Sequence, residues 1–391
     1  MALAAVRALH FSPPPTPVRL ALAALSLLAL AACDTQEPPY VECPDRADCA
    51  DPPDIVAGVN LDALFAAPTA AERDSVAARL ARTGGTDAVR ATRARAVDLP
   101  TDPDGTRYTL VTLLDADSRE VAHAVARTPA NSVGGGGRLP VLLILPDADG
   151  HADETAFLTG ATAADLDRTT VQIIVAARGA SVSMFYGSGP SVRTDVYTSD
   201  TPASPYLGDA LDVLAFTDQL ALVPRADAGR VGVMGVGRGG TVALLAAERV
   251  PGRFGAVASL SALTSLFDPT FRTTVRQVLL GGAVGRLPAA EVLLAPARAL
   301  ARGEITLAEA RLRMLERSPV VLANRLPATR AFHASPDDII PLSHLDRLRA
   351  EGGGTTLEPR LFDAVSEVRH EDLLTDPTLR GLLSTFFGQY L

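Results

Sequence analysis

From Val141 onward the chain repeats one unit: a short, unbroken apolar run followed by a longer stretch with helical spacing. The runs are Val141 to Leu145, Val171 to Val175, Val231 to Met234, Ala256 to Leu260, Thr329 to His333 and Leu357 to Phe362. A run that is apolar at every position has no face to show water. It suits a strand covered on both sides, as in a parallel sheet. Helical patterns at Leu207 to Leu222, Thr241 to Arg249, Leu342 to Glu351 and Pro377 to Tyr390 supply the cover. The expected fold class is α/β, with a doubly wound, mostly parallel sheet. Phe267 to Leu315 breaks the rhythm. It is leucine-rich and helical, and it falls between two strands, where an insert can act as a lid.

Upstream the pattern differs. Leu61, Leu64, Phe65, Val76 and Leu80 predict one or two helices between Asn60 and Thr83. Strand-like stretches at Ala88 to Leu99 and Arg107 to Leu114 flank Asp102-Pro103-Asp104-Gly105, a strong turn signal, so an N-terminal antiparallel hairpin is expected. Asn131 to Gly137 reads as a flexible loop.

The first residues read as an export signal. Arg7 and Arg19 carry positive charge, and Leu20 to Ala32 is an apolar run of 13 residues. That is short for a bilayer span, and small residues end it. Residues 34–57 are rich in Pro, Asp and Glu and read as a tether. The predicted organisation is a signal at 1–32, a tether at 33–57 and one folded domain at 58–391, with the helical insert at about 267–315. Cys43 and Cys49 remain after the signal. An oxidising compartment favours a small disulfide loop between them, and a metal site is the weaker alternative because no histidine lies nearby.

A net charge of −9, with no basic run, argues against nucleic acid as a partner. All 36 basic residues are arginine, which carries no functional reading. Charged residues make up 21 % of the chain, which argues against wholesale disorder.

The chemistry concentrates in Arg230-Val231-Gly232-Val233-Met234-Gly235-Val236-Gly237-Arg238-Gly239-Gly240-Thr241. An apolar strand enters a glycine-flanked turn, and an Ala/Leu-rich helix follows. This resembles the G-x-S-x-G nucleophile elbow of the α/β-hydrolase fold, with Gly237 where the serine belongs. Two further segments extend the resemblance over about 250 residues, in the order nucleophile, acid, histidine. His333-Ala334-Ser335-Pro336-Asp337-Asp338-Ile339-Ile340-Pro341 resembles the family's acid loop and implies Asp337 as the triad acid, with Ala334 in place of the family glycine. His370, in Ser366-Glu367-Val368-Arg369-His370-Glu371-Asp372-Leu373-Leu374, stands where the family carries its base. His333 matches a structural position. The chain is most similar to the prolyl-oligopeptidase catalytic domain and the dienelactone-hydrolase-like esterases.

The resemblance implies an oxyanion hole from the backbone N–H of Arg238 and a loosely assigned second donor, Ala148, in Pro146-Asp147-Ala148-Asp149-Gly150-His151. Carboxylates there disfavour a developing oxyanion, and capping of the following helix is the plain reading. Asp147, Asp149 and Asp153 also pose a hard-cation loop, but the spacing does not match an EF-hand, so no metal is expected. No cofactor is expected either.

Leu30-Ala31-Ala32-Cys33 resembles a bacterial lipobox, which implies cleavage before Cys33, lipidation of its thiol and anchoring to a membrane of the cell envelope, facing the periplasm or exterior. Without a serine at position 237, three functions stand open. The first is an impaired homologue that binds a small-molecule or peptide ligand, or a partner, in the former active-site cleft. The second is a hydrolase of small esters or peptides in which His370 and Asp337 activate water. The third is an ion- or partner-binding envelope module.

Overall fold

In a computed structural model, the folded unit runs from Pro53 to Leu391. The residues described are 53–83, 91–102, 105–130, 137–147, 152–153, 169–178, 180–186, 193–199, 203–352, 360–374 and 376–391. The cysteines at 33, 43 and 49, together with the expected signal and most of the expected tether, lie outside them.

Nine strands form one sheet: β1 (Arg93–Asp98), β2 (Arg107–Leu114), β3 (Glu120–Thr128), β4 (Leu139–Leu145), β5 (Val171–Val175), β6 (Ala226–Val236), β7 (Ala256–Leu260), β8 (Ala328–Ser335) and β9 (Arg360–Ser366). Their order across the sheet is β9-β8-β7-β6-β4-β5-β3-β2-β1. The pairs β1–β2, β2–β3 and β3–β5 are antiparallel, and all pairs from β5 to β9 are parallel. The expected N-terminal hairpin is β1–β2. Strand β3 joins the hairpin through β2. The sequence pattern exposed neither β3 nor an antiparallel ribbon of Ser181–Tyr186 with Arg193–Thr198, which lies outside the main sheet.

The longer helices are α1 (Ala70–Thr83), α2 (Leu207–Asp218), α3 (Arg238–Arg249), α4 (Pro269–Leu279), α5 (Ala290–Ala301), α6 (Leu307–Leu315), α7 (Ser343–Gly352) and α8 (Pro377–Tyr390), and a single turn at Leu61–Leu64 precedes them. The apolar strands divide their residues between two cores, because successive side chains on a strand point to opposite faces. Val141, Leu143 and Leu145 join one core with α2 and α3. Leu142 and Ile144 join the other, where α8 inserts Leu379, Leu383, Phe386 and Phe387. Those four positions follow helical spacing and give α8 one buried stripe. Both faces of the central strands are therefore covered, which is why the runs lack polar alternation.

Order begins before the boundary at 58 read from composition. Asp54 pairs with Arg272 at 2.9 Å and with Arg276, and Ile55–Val56 pairs with Val59–Asn60. The basic partners lie more than 200 residues away in sequence, beyond the reach of a local composition argument. The insert forms α4, α5 and α6, which bury Phe271, Val275, Leu293 and Met314 in the first core. Arg311 fixes it to the N-terminal segment. It binds both carboxylate oxygens of Glu72 and the carbonyls of Ala63, Leu64 and Ala66 at 2.6–3.0 Å. The insert is thus a packed layer rather than a free lid. It meets the rim of the site through Tyr206 Oη, which donates to Pro288 O at 2.7 Å, and through Arg286 with Asp338.

Candidate active site

Strand β4 lies between β5 and β6, so the sheet winds in opposite directions on its two sides. Clefts at the C-terminal ends of parallel strands form at such a reversal. Asp147 follows β4, Gly237 follows β6, Asp337 follows β8 and His370 follows β9. All four stand at that end of the sheet.

The elbow is tight. Gly237 has φ +51° and ψ −114°, a conformation that side-chain-bearing residues rarely adopt. Its N–H donates to Leu260 O at 2.8 Å, and its carbonyl accepts from Thr241 N at 3.1 Å. The flanking glycines are demanded by close approach. A Cβ on Gly235 would lie 2.3 Å from the Gly239 carbonyl carbon, and one on Gly239 would lie 2.5 Å from the carbonyl oxygens of Leu145 and Pro146. The glycine pattern therefore lets α3 start against the end of β4.

His370 and Asp337 come together, with Nδ1 2.8 Å from Asp337 Oδ2. Asp337 Oδ1 accepts from the N–H groups of Ile339 and Ile340, each at 2.9 Å. Asp338, its sequence neighbour, is exposed and pairs with Arg286. His333 is buried and holds the same loop through Nε2 and Ile340 O at 2.7 Å. Ser261 also bonds Asp337. It has φ +43° and accepts from Ala334 N at 2.9 Å.

The space beside Gly237 is filled from the end of another strand. Asp147 Oδ2 lies 3.1 Å from His370 Nε2, and Asp147 Oδ1 accepts from the Arg238 N–H at 3.2 Å. A Cβ on Gly237 would fall 1.8 Å from Asp147 Oδ1 and 3.1 Å from His370 Nε2. The Asp147 carboxylate thus faces both His370 Nε2 and the Arg238 N–H. Helix α3 has no side-chain cap of its own, and Asp147 supplies an acceptor at its N-terminus, where negative charge is favoured. The carboxylate caps this helix across the sheet. Ala148, the other expected donor, lies outside the described residues, as do Asp149, Gly150 and His151.

Carboxylate oxygens face both ring nitrogens of His370, so both nitrogens act as donors and the ring is an imidazolium. Burial alone would push the ring down. Hydrogen bonds to Asp147 and Asp337, with their charges, outweigh it and hold His370 up at about 9. Asp337 is likewise opposed by burial but held down at about 2 by His370 and by the Ile340, Ser261 and Ile339 bonds. Burial pushes the His333 ring down, so it stays neutral.

A second buried layer fixes Arg238. Its guanidinium reaches Asp209 Oδ2 at 2.6 and 3.1 Å, and the same oxygen accepts from Tyr206 N at 2.8 Å. Arg178 pairs with Asp212 through Nε at 2.9 Å and through Nη2. Burial pushes Asp212 up to about 6 against the pull of Arg178. Beside this layer a small cleft lined by Leu145, Pro146, Val175, Val213, Arg238 and Val242 leaves about 20 Å³, room for one water.

Of the residues proposed from sequence, the structure brings Gly237, Arg238, Asp337 and His370 to one point. The residue the sequence reading underused is Asp147, weighed only as a cap, a cation ligand or a hindrance to an oxyanion. The available signal was a pairing: a carboxylate one loop away from a position stripped of its side chain. Among the described residues no cluster of three or more His, Cys, Asp or Glu is arranged to hold a metal, and no helix is long and apolar enough to cross a membrane.

The Esterase family model matches residues 123–294, a span that holds Asp147 and the elbow but neither Asp337 nor His370. No curated protein matches the sequence. Among solved structures the chain is similar to acetyl xylan esterase 1 from Thermoanaerobacterium sp. JW/SL YS485, with 15 % identity and a TM-score of 0.52 over 82 % of this chain and 92 % of that one. It is also similar to an acetyl xylan esterase from Paenibacillus sp. R4, with 16 % identity and a TM-score of 0.52 over 84 % and 99 %. A puromycin-hydrolyzing peptidase of Mycobacterium tuberculosis shares 17 % identity with a TM-score of 0.54 over 75 % of this chain and 41 % of the peptidase. These likenesses show the fold.

Proposed function

Starting from an α/β-hydrolase fold whose nucleophile position is a glycine, we propose that the chain is an exported, lipid-anchored hydrolase homologue. It does not perform serine-type acyl transfer and uses the former catalytic cleft to bind a small-molecule or peptide ligand. One observation carries this reading: the Asp147 carboxylate stands where a serine side chain would begin, bonded to both His370 Nε2 and the Arg238 N–H. Acyl transfer needs an attacking oxygen beside a neutral base and a vacant oxyanion hole. Here the base holds its proton, the hole has an occupant and the nucleophile is absent. Loss of a triad serine costs about 10⁶-fold in kcat where it has been measured.

A second reading, hydrolysis of small esters or peptides by water activated at His370, draws on the intact 2.8 Å pair with Asp337. It requires Asp147 to leave and His370 to release a proton that it keeps up to about pH 9. The chain's place in the envelope rests on the lipobox at Cys33.

The test is a fluorophosphonate probe on the wild type, with short-chain ester turnover measured beside it. The expected result is no covalent adduct and at most a weak, His370-dependent rate. A strong adduct mapped to any serine of the cleft overturns the reading.

A further inference from the structure

We propose that the slot between His370 Nε2 and the Arg238 N–H is a carboxylate-binding site, and that Asp147 is its tethered occupant, displaced by a short-chain monocarboxylate. The inference deepens the ligand-binding reading above and rests on it.

The two donors converge on one carboxylate, one on each oxygen, at 3.1 and 3.2 Å. A ring nitrogen buried with His370 and a backbone N–H at a helix start both need an acceptor when Asp147 leaves. A carboxylate restores both bonds and keeps the imidazolium between two negative charges. A neutral ester or amide leaves that charge short of a partner, which is costly in a buried site. The chemistry therefore selects carboxylates.

The geometry permits the exchange. The Asp147 side chain is 34 % exposed, whereas His370 and Asp337 are almost fully enclosed at 2 % and 0 %. Asp147 can turn outward to water while the two donors stay in place. Gly237 adds no side chain to obstruct the incoming group. Arg238 also borders a small cleft lined by Leu145, Pro146, Val175, Val213 and Val242, with room for about one water or methyl group. Acetate, with a single methyl tail, is therefore the probe. The tethered carboxylate competes at a high effective concentration, so the wild type binds the free acid weakly.

The test uses ¹⁵N-histidine-labelled protein titrated with sodium acetate at constant ionic strength, with chloride as the control. Asp147→Ala is expected to bind acetate at least tenfold more tightly than the wild type, with His370 resonances reporting. Asp147→Ala combined with His370→Gln is expected to lose that binding, and chloride is expected not to reproduce it. A folded Asp147→Ala protein that shows no acetate-dependent His370 shift up to about 0.1 M overturns the proposal. Equal binding in the double variant also overturns it. If Asp147→Ala does not fold, Asp147→Ser takes its place: an acetate-dependent His370 shift in that folded variant supports the site, and its absence up to the same concentration overturns the proposal. Probe labelling of the wild type would sink the non-hydrolytic reading by a separate measurement and leaves the acetate result to be judged by itself.

Discussion

Asp147 Oδ1 stands 1.8 Å from the point where a Cβ on Gly237 would sit. The two positions are one unit: a glycine just after β6 and a carboxylate admitted from the end of β4. The relationship sets what a serine introduced at 237 does. Gly237→Ser places its Cβ inside the Asp147 carboxylate and forces serine to φ +51°. Backbone strain of this kind costs on the order of 1–3 kcal/mol. Gly237→Ser alone is therefore expected to be less stable than wild type and to remain unlabelled by a fluorophosphonate. Gly237→Ser with Asp147→Gly vacates the place and frees the Arg238 N–H, and it is expected to label. Labelling by the single variant at the level of the double would show that Asp147 does not block the site.

The charge triplet sets a pH window. His370 is held up at about 9 in the fold, against an ordinary value of 6.5. Its contribution is thus complete below about pH 6.5 and is lost as pH rises through 9. Asp337, held down at about 2, acts in the opposite direction. Its contribution is present above 3.8 and lost as pH falls through 2. The high-pH loss is worth on the order of 3 kcal/mol. Urea unfolding at about pH 6 and about pH 10 should show it, and Asp147→Asn should remove much of the difference. The groups facing His370 are Asp147 and Asp337, with neutral His333 behind them. An equal pH response in wild type and Asp147→Asn would mean that Asp147 does not hold the proton.

The outer glycine of the elbow has a packing role that activity does not report. A methyl group on Gly239 meets two backbone carbonyl oxygens at 2.5 Å, and neither can rotate away. Gly239→Ala is expected to destabilise the fold by about 1–3 kcal/mol or more. The readout is a lower urea midpoint with an unchanged slope. Gly252→Ala is the control for an open site, since nothing lies within 4 Å of a Cβ there, although its φ of +84° carries its own strain. A wild-type midpoint for Gly239→Ala would contradict the close approach of α3 to β4.

The proposed anchoring through Cys33 has its own test. Cys33→Ser is expected to move the protein from the membrane to the soluble fraction after cell lysis, because each buried methylene of the lost acyl chains contributes about 0.8 kcal/mol. Fractionation with membranes as before would remove the lipobox reading.

The elbow, the acid loop and the parallel sheet were legible in the sequence because each is a local pattern. Glycines mark close approaches, unbroken apolar runs mark strands covered twice, and the 33-residue spacing from Asp337 to His370 fits one strand and one helix. Strand β3 was missed because Glu120–Thr128 mixes Arg127 and His123 with small residues, and its burial comes from neighbours on both sides. The start of the fold was set too late because Asp54 is ordered by Arg272 and Arg276, which no nearby composition reveals.

The sequence by itself determined that position 237 offers no nucleophile, since glycine has no side chain in any fold. It could not determine what replaces one. That depends on β4 and β6 lying side by side, which brings Asp147 against Gly237 and within hydrogen-bond distance of the Arg238 N–H although 90 positions separate residues 147 and 237. Only the tertiary structure decides that the vacated volume receives a carboxylate. A hydrogen bond is a matter of a few tenths of an ångström, and chain order alone carries no such distance.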